Sequence, residues 1–127
     1  MAKTLLTAGG SQSIAASTTQ YFPAYTSWLQ GLTTETQAQR TYRSAGVISN
    51  LYCRISANDR GTSTYRLKVN LGNGSQSVSI GASATGEFED ATNTDTIVAG
   101  DEVNTSILTG SGGTVFTLSL VSVVFNA

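Results

Sequence analysis

Residues 64–80, TYRLKVNLGNGSQSVSI, constrain the fold more than any other stretch. Tyr65, Leu67, Val69 and Leu71 alternate with Thr64, Arg66, Lys68 and Asn70. Successive side chains of an extended chain point to opposite faces, so a period of two predicts a strand with one apolar face turned inward and one wet face. Gly72-Asn73-Gly74-Ser75 follows, residues that tolerate positive φ, and then a second short run, Gln76–Ala82. The stretch predicts two antiparallel strands joined by a tight turn.

The same signal recurs along the chain. In AGVISNLYCRIS, Val47, Ser49, Leu51, Cys53 and Ile55 share one parity, and Ile48, Asn50, Tyr52 and Arg54 the other. Phe88 sits between Glu87 and Glu89, and the runs DTIVAG and EVNTSIL flank Gly100-Asp101. Helical periodicity is nearly absent. Ser and Thr exceed a quarter of the 127 residues, Gly occurs 13 times and Pro once. Several short strands separated by turn residues predict one all-β domain, a sandwich or a barrel.

Gly100-Asp101 joins two of these runs. Gly adopts backbone angles other residues avoid, and Asp accepts hydrogen bonds from the turn it opens. The pair reads as a corner between strands ending on Val98 and starting on Val103, not as a catalytic acid.

The composition excludes most chemistry. The chain has no histidine, which removes Ser-His-Asp and Cys-His pairs and most zinc and iron sites. Cys53 is the only cysteine and reads as a small buried residue. Net charge is −1, with no basic run suited to nucleic acid. No apolar run approaches the roughly 20 residues that span a bilayer as a helix. Met1–Gly10 lacks the apolar stretch of a secretory signal, which predicts folding in a cytosol. The sequons at Asn73 and Asn104 carry no weight without a secretory route. Glu87 and Glu89 share a strand face, the minimum for a glycosidase pair, but no cleft is specified around them and they read as a solvated strand end. Asp90, Asp95, Asp101 and Glu102 match no calcium loop by spacing. No catalytic residue, cofactor or metal is expected.

The first 43 residues are less regular. Lys3–Ala8 suits a short strand, and Tyr21, Phe22, Tyr25 and Trp28 crowd around Pro23. The last run, Thr114–Phe125, is apolar on both parities: Val115, Val121, Val123 and Phe125 on one, Phe116, Leu118, Leu120 and Val124 on the other. An antiparallel strand with one wet face should alternate more cleanly. Either the N-terminal segment covers its outer face, or another copy of the chain does.

The order of segments from Arg43 to Phe125 resembles the jelly-roll domains of the tumour necrosis factor and complement-head type, above all those of tailed bacteriophages. Ile97-Val98, Gly100-Asp101, Val103, the loop Gly110–Gly113 and the run Phe116–Phe125 carry the resemblance. It implies an antiparallel jelly-roll sandwich that forms homotrimers and, on a phage head, decorates and stabilises the capsid lattice.

The resulting expectation is an all-β jelly-roll domain (residues 44–127) with an extended N-terminal arm (1–43). It is a non-enzymatic capsid decoration, or cement, protein, made in the host cytoplasm and carried on the virion. Its expected partners are itself, as a homotrimer, and the major capsid protein, with no nucleic acid and no membrane. Phe116, Leu118, Leu120 and Val124 are expected at the trimer interface. Tyr21, Phe22, Tyr25 and Trp28 are expected to touch the capsid or a neighbour. The rival expectation is a trimeric carbohydrate- or receptor-binding tip of a tail fibre or adhesin, with loops 58–63 or 110–113 reading a sugar.

Overall fold

The computed structural model describes residues 3–25 and 27–127; Met1, Ala2 and Thr26 lie outside the described residues. The strands are β1 (Lys3–Ser13), β2 (Thr19–Pro23), β3 (Ser27–Trp28), β4 (Arg40–Thr41), β5 (Gly46–Asn58), β6 (Ser63–Val69), β7 (Gly72–Ile80), β8 (Gly86–Ile97), β9 (Glu102–Leu108) and β10 (Phe116–Asn126). One helical turn, α1 (Glu35–Ala38), precedes β4. The first sheet runs β3-β1-β10-β5-β8; the second runs β2-β9-β6-β7, with β4 also paired to β9. All pairings are antiparallel except the short β1–β3 contact. The expected antiparallel sandwich is present.

The expected arm is not seen. β1 pairs with β10 from Lys3↔Asn126 to Ser13↔Thr117, and β2 pairs with β9 from Thr19↔Leu108 to Pro23↔Asn104. Ala8, Ile14, Phe22, Ala24, Leu29 and Ala38 are buried, so the leading segment supplies both sheets and part of the core. Local alternation does not reveal it, because β1 carries Gly9, Gly10 and four hydroxyl residues whose strand character comes from pairing with β10.

The core lies between the sheets. Leu51, Cys53, Ile55, Phe116, Leu118, Val121 and Val123 point in from the first sheet; Phe22, Tyr65, Leu67, Val78, Ile80 and Ile107 come from the second. The inward parity of Tyr65 and Leu67 is as expected, whereas Leu71 turns outward at positive φ in the β6–β7 turn.

Two irregularities alter the parity read from sequence. Asn50 adopts φ 53°, and the β5–β8 register shifts between Ser49 and Leu51. Ile48 therefore points inward before the bulge and Leu51 after it, so Val47 and Ser49 do not share the inward face with Leu51. In β10 the register against β5 shifts between Leu118 and Leu120. Phe116 and Leu118 face the core before that point, Val121 and Val123 after it. A single strand that changes face midway needs apolar residues on both parities. This accounts for much of the apolar character of the closing run within one chain.

Polar side chains tie the open edges of the two sheets together. Asp90 of β8 accepts from the Ser77 N–H of β7 at 3.0 Å. Asp95 accepts from the Ser75 and Gln76 N–H groups at 2.6 and 3.2 Å. The fully buried Gln76 side chain accepts from Leu51 N–H at 3.1 Å and donates to the Ile48 carbonyl at 3.0 Å. Buried polar groups are tolerated when their partners are supplied, and Gln76 has both.

Candidate functional site

The outward face of the first sheet combines residues far apart in sequence. The β1–β10 register sets Leu5 opposite Val124, Thr7 opposite Ser122 and Gly9 opposite Leu120. On the other side of β10, Tyr52 lies opposite Ser122 and, across the next pairing, opposite Glu89. Leu5, Thr7, Asn50, Tyr52, Glu89, Leu120, Ser122 and Val124 line a shallow groove of about 470 Å³. Leu5 is 60% exposed, and Leu120 and Val124 are half-buried.

The bulge in β10 divides the four residues expected at a trimer interface. Leu120 and Val124 stand on this outer face. Phe116 and Leu118 do not: they are 1% and 0% exposed, inside the chain's own core, where no second copy can reach them. Leu5 was missed because it precedes the matched region and acquires its place only by pairing with Val124.

The aromatic cluster is likewise dispersed. Phe22 is a core residue, fully buried opposite Thr105, and is not available to a partner. Tyr21 lies half-buried on β2, opposite Ser106. Tyr25 carries the Arg40 guanidinium 4.8 Å from its ring centre, a cation–π contact. Trp28, on edge strand β3 opposite Gly9, is 79% exposed.

The acidic residues serve the fold. Glu87 accepts from the Tyr52 hydroxyl at 2.7 Å and from Arg54 at 3.5 Å. The Tyr52 hydrogen bond is the main cause that lowers its pKa, opposite to the shift a general acid needs. Glu89 accepts from Asn50 at 2.9 Å. Asp90 accepts four N–H donors, from Ser77, Thr92 and the backbone and side chain of Asn93. Those bonds, Asn93's first, lower its pKa to about 2. Asp101 accepts from Asn70 Nδ2 at 2.8 Å and from Val98 N–H at 2.9 Å, which lowers its pKa, and Gly100 stands at φ 102°. The pair forms the corner that its residue types predict. Glu102 accepts from the Thr41 hydroxyl at 2.6 Å. These oxygens already hold donors, an arrangement that stabilises turns and edges. Burial pushes the Cys53 thiol up to about 12, which keeps it protonated and inert.

The loops 58–63 and 110–113 are also joined internally. Asp59 accepts from the backbone of Thr114 and Val115 at 2.7 Å each, and buried Arg60 donates to the carbonyls of Ile14, Gly112 and Gly113. Arg60 thus staples the leading segment to both loops.

The outward face of the second sheet is different in kind. Thr19, Tyr21, Thr64, Arg66, Lys68, Ser106 and Leu108 line an open groove of about 270 Å³. The alternation of β6 predicts the outward side chains Thr64, Arg66 and Lys68; only the pairing places Tyr21 and Ser106 beside them.

No family model matches this chain, and no curated protein matches it in sequence. Among solved structures its fold is similar to the CBM36-1 domain of a multidomain xylanase from the hindgut metagenome of Trinervitermes trinervoides. The TM-score is 0.51 at 10% identity, over 99% of this chain and 98% of that one. At that identity the likeness concerns the β-sandwich fold alone.

Proposed function

We propose that this chain is a non-enzymatic structural protein that assembles as a homotrimer and decorates a phage capsid. The observation that carries the assembly is the strip Leu5–Val124–Leu120 on the outer face of the first sheet, beside Tyr52. The surrounding surface is rich in hydroxyl groups, and apolar side chains standing out from it, Leu5 against Val124 and Leu120 beyond the Thr7–Ser122 pair, are where a partner gains most from excluding water. Burial contributes about 25 cal/mol per Å² before association costs. The capsid role is supported by the resemblance of residues 97–125 to phage jelly rolls, whose order of corner, short strand, Gly-rich loop and long last strand is kept here. Three copies on one rigid body would then add many weak lattice contacts through effective concentration.

Two measurements test this reading. Sedimentation of the purified chain at micromolar concentration should give a trimer, and Leu5→Asp should give a folded monomer, since Leu5 is exposed and the substitution leaves the core untouched. A wild-type monomer would remove the physical support for assembly. Mass spectrometry of purified particles should find hundreds of copies per virion; a handful would favour a tail tip.

A second reading, a carbohydrate-binding tip, is favoured by the exposure of Trp28 on an edge strand, the kind of flat aromatic surface on which a sugar ring stacks. The fold likeness to a carbohydrate-binding module weakly supports it. Specific binding of the isolated chain on a glycan array, lost in Trp28→Ala, would favour the tip over the cement protein.

A further inference from the structure

We infer that the outer groove of the second sheet binds an acidic saccharide, with the Arg66 guanidinium as its anion anchor. Of the two cations on this face, Lys68 is paired with Glu35 and Arg66 is not paired with a carboxylate among the described residues, whose ion pairs are Arg54–Glu87 and Lys68–Glu35. Lys68, two residues along the same strand face, is shared between Asn73 at 3.2 Å and Glu35 at 3.7 Å. Arg66, half-buried and lining a groove, carries a guanidinium without a counter-ion among the described residues, a fork of donors matched to a carboxylate or sulfate.

The remaining lining favours a sugar over a peptide. Thr19, Thr64 and Ser106 supply hydroxyls that both donate and accept, as sugar hydroxyls do. Ser77 lies opposite Arg66 on β7, with an exposed side chain. Tyr21 brings an aromatic ring and Leu108, 50% exposed, an apolar patch at the far end. The groove is shallow and open, without the deep apolar pocket that would hold a peptide's anchoring side chain. The segment carrying α1 covers the neighbouring part of this sheet, burying Asn104 and pairing Glu35 with Lys68, but leaves the Arg66 end open.

This site is on the opposite sheet from the proposed trimer strip and from Trp28, so it stands or falls separately from both readings above. Two-dimensional amide NMR of the whole protein, titrated to millimolar concentration, provides the test. The probes are a galacturonic acid trimer, a sulfated galactose trimer and a neutral galactose trimer. The acidic probes should shift amides of β2, β9 and β6, the neutral one far less; whichever acidic probe binds more tightly distinguishes carboxylate from sulfate. Arg66→Gln should weaken binding about tenfold or more, Arg66→Lys should restore part of it, and Trp28→Ala and Leu5→Asp should leave it unchanged. Added salt should weaken it. Thermal unfolding should be the same in Arg66→Gln as in wild type, which separates lost binding from lost fold. No shift with either acidic probe, equal binding of the neutral probe, no effect of Arg66→Gln, or a poly-glutamate peptide of equal charge bound as tightly would each overturn the inference.

Discussion

On the first sheet, the strand at the middle, β10, turns Leu120 and Val124 outward beside Leu5 of β1; on the second, the inner strands β6 and β9 turn Thr64, Arg66, Lys68 and Ser106 outward. Both sheets pack the same kind of side chain inward, so the core does not distinguish them. The outer faces do. One sets the apolar side chains Leu5, Leu120 and Val124 among hydroxyl and amide groups and suits a surface hidden by assembly. The other is solvated and charged and suits a surface that stays open. A sandwich lets these two roles coexist because each strand alternates between the shared interior and its own exterior.

The sharpest way to break this comparison is within β10. Leu118→Ala should destabilise the chain by about 2–5 kcal/mol, as burial in a packed core implies. Leu120→Ala, two residues away but past the bulge, should cost the monomer under about 1.5 kcal/mol and weaken self-association instead. Chemical denaturation and sedimentation, run on both variants, separate the two effects. Equal losses of stability would mean that the strand does not change face.

The joint between the sheets should show next in size. Asp90→Asn leaves backbone donors of Ser77, Thr92 and Asn93 with a poorer acceptor, and should destabilise the fold by about 2 kcal/mol at neutral pH. The folded-state pKa of Asp90 is depressed to about 2, below the ~3.9 of an unfolded aspartate. Its contribution is therefore full above about pH 4 and is lost as pH falls toward 2. Thermal melts from pH 5 to pH 2 should fall less steeply in Asp90→Asn than in wild type; parallel curves would rule out this linkage.

Gly100→Ala should cost about 1 kcal/mol, because φ 102° is strained for any side chain although nothing crowds the position. Arg66→Gln should change stability by less than about 0.5 kcal/mol, as expected for a wet face whose side chain holds no partner that the fold needs. A larger loss would mean that the second sheet's exterior is structural, and the contrast between the two faces would narrow.

Much of the fold was legible because it is written in local alternation. Tyr65 and Leu67 announce an inward face, Gly100-Asp101 a corner, and Gly72–Ser75 a turn, each through the preference of a residue for its own backbone conformation. The candidate site was legible only in part. Leu120 and Val124 are outward as expected, while Phe116, Leu118 and Phe22 are not, since a hydrophobic residue looks the same in sequence whether it faces a core or a partner.

By itself the sequence determined an all-β chain, the hairpin from β6 to β7, the corner at Gly100-Asp101 and the absence of histidine chemistry. Only the tertiary structure decided that residues 3–13 lie along β10 in place of extending as an arm, that β5 and β10 change face at Asn50 and after Leu118, and that Arg66 stands beside Tyr21. The physical reason is range. Alternation and turn preference act between neighbours along the chain, whereas strand partners and bulges are chosen by contacts between residues as much as 123 positions apart, as Lys3 and Asn126 are.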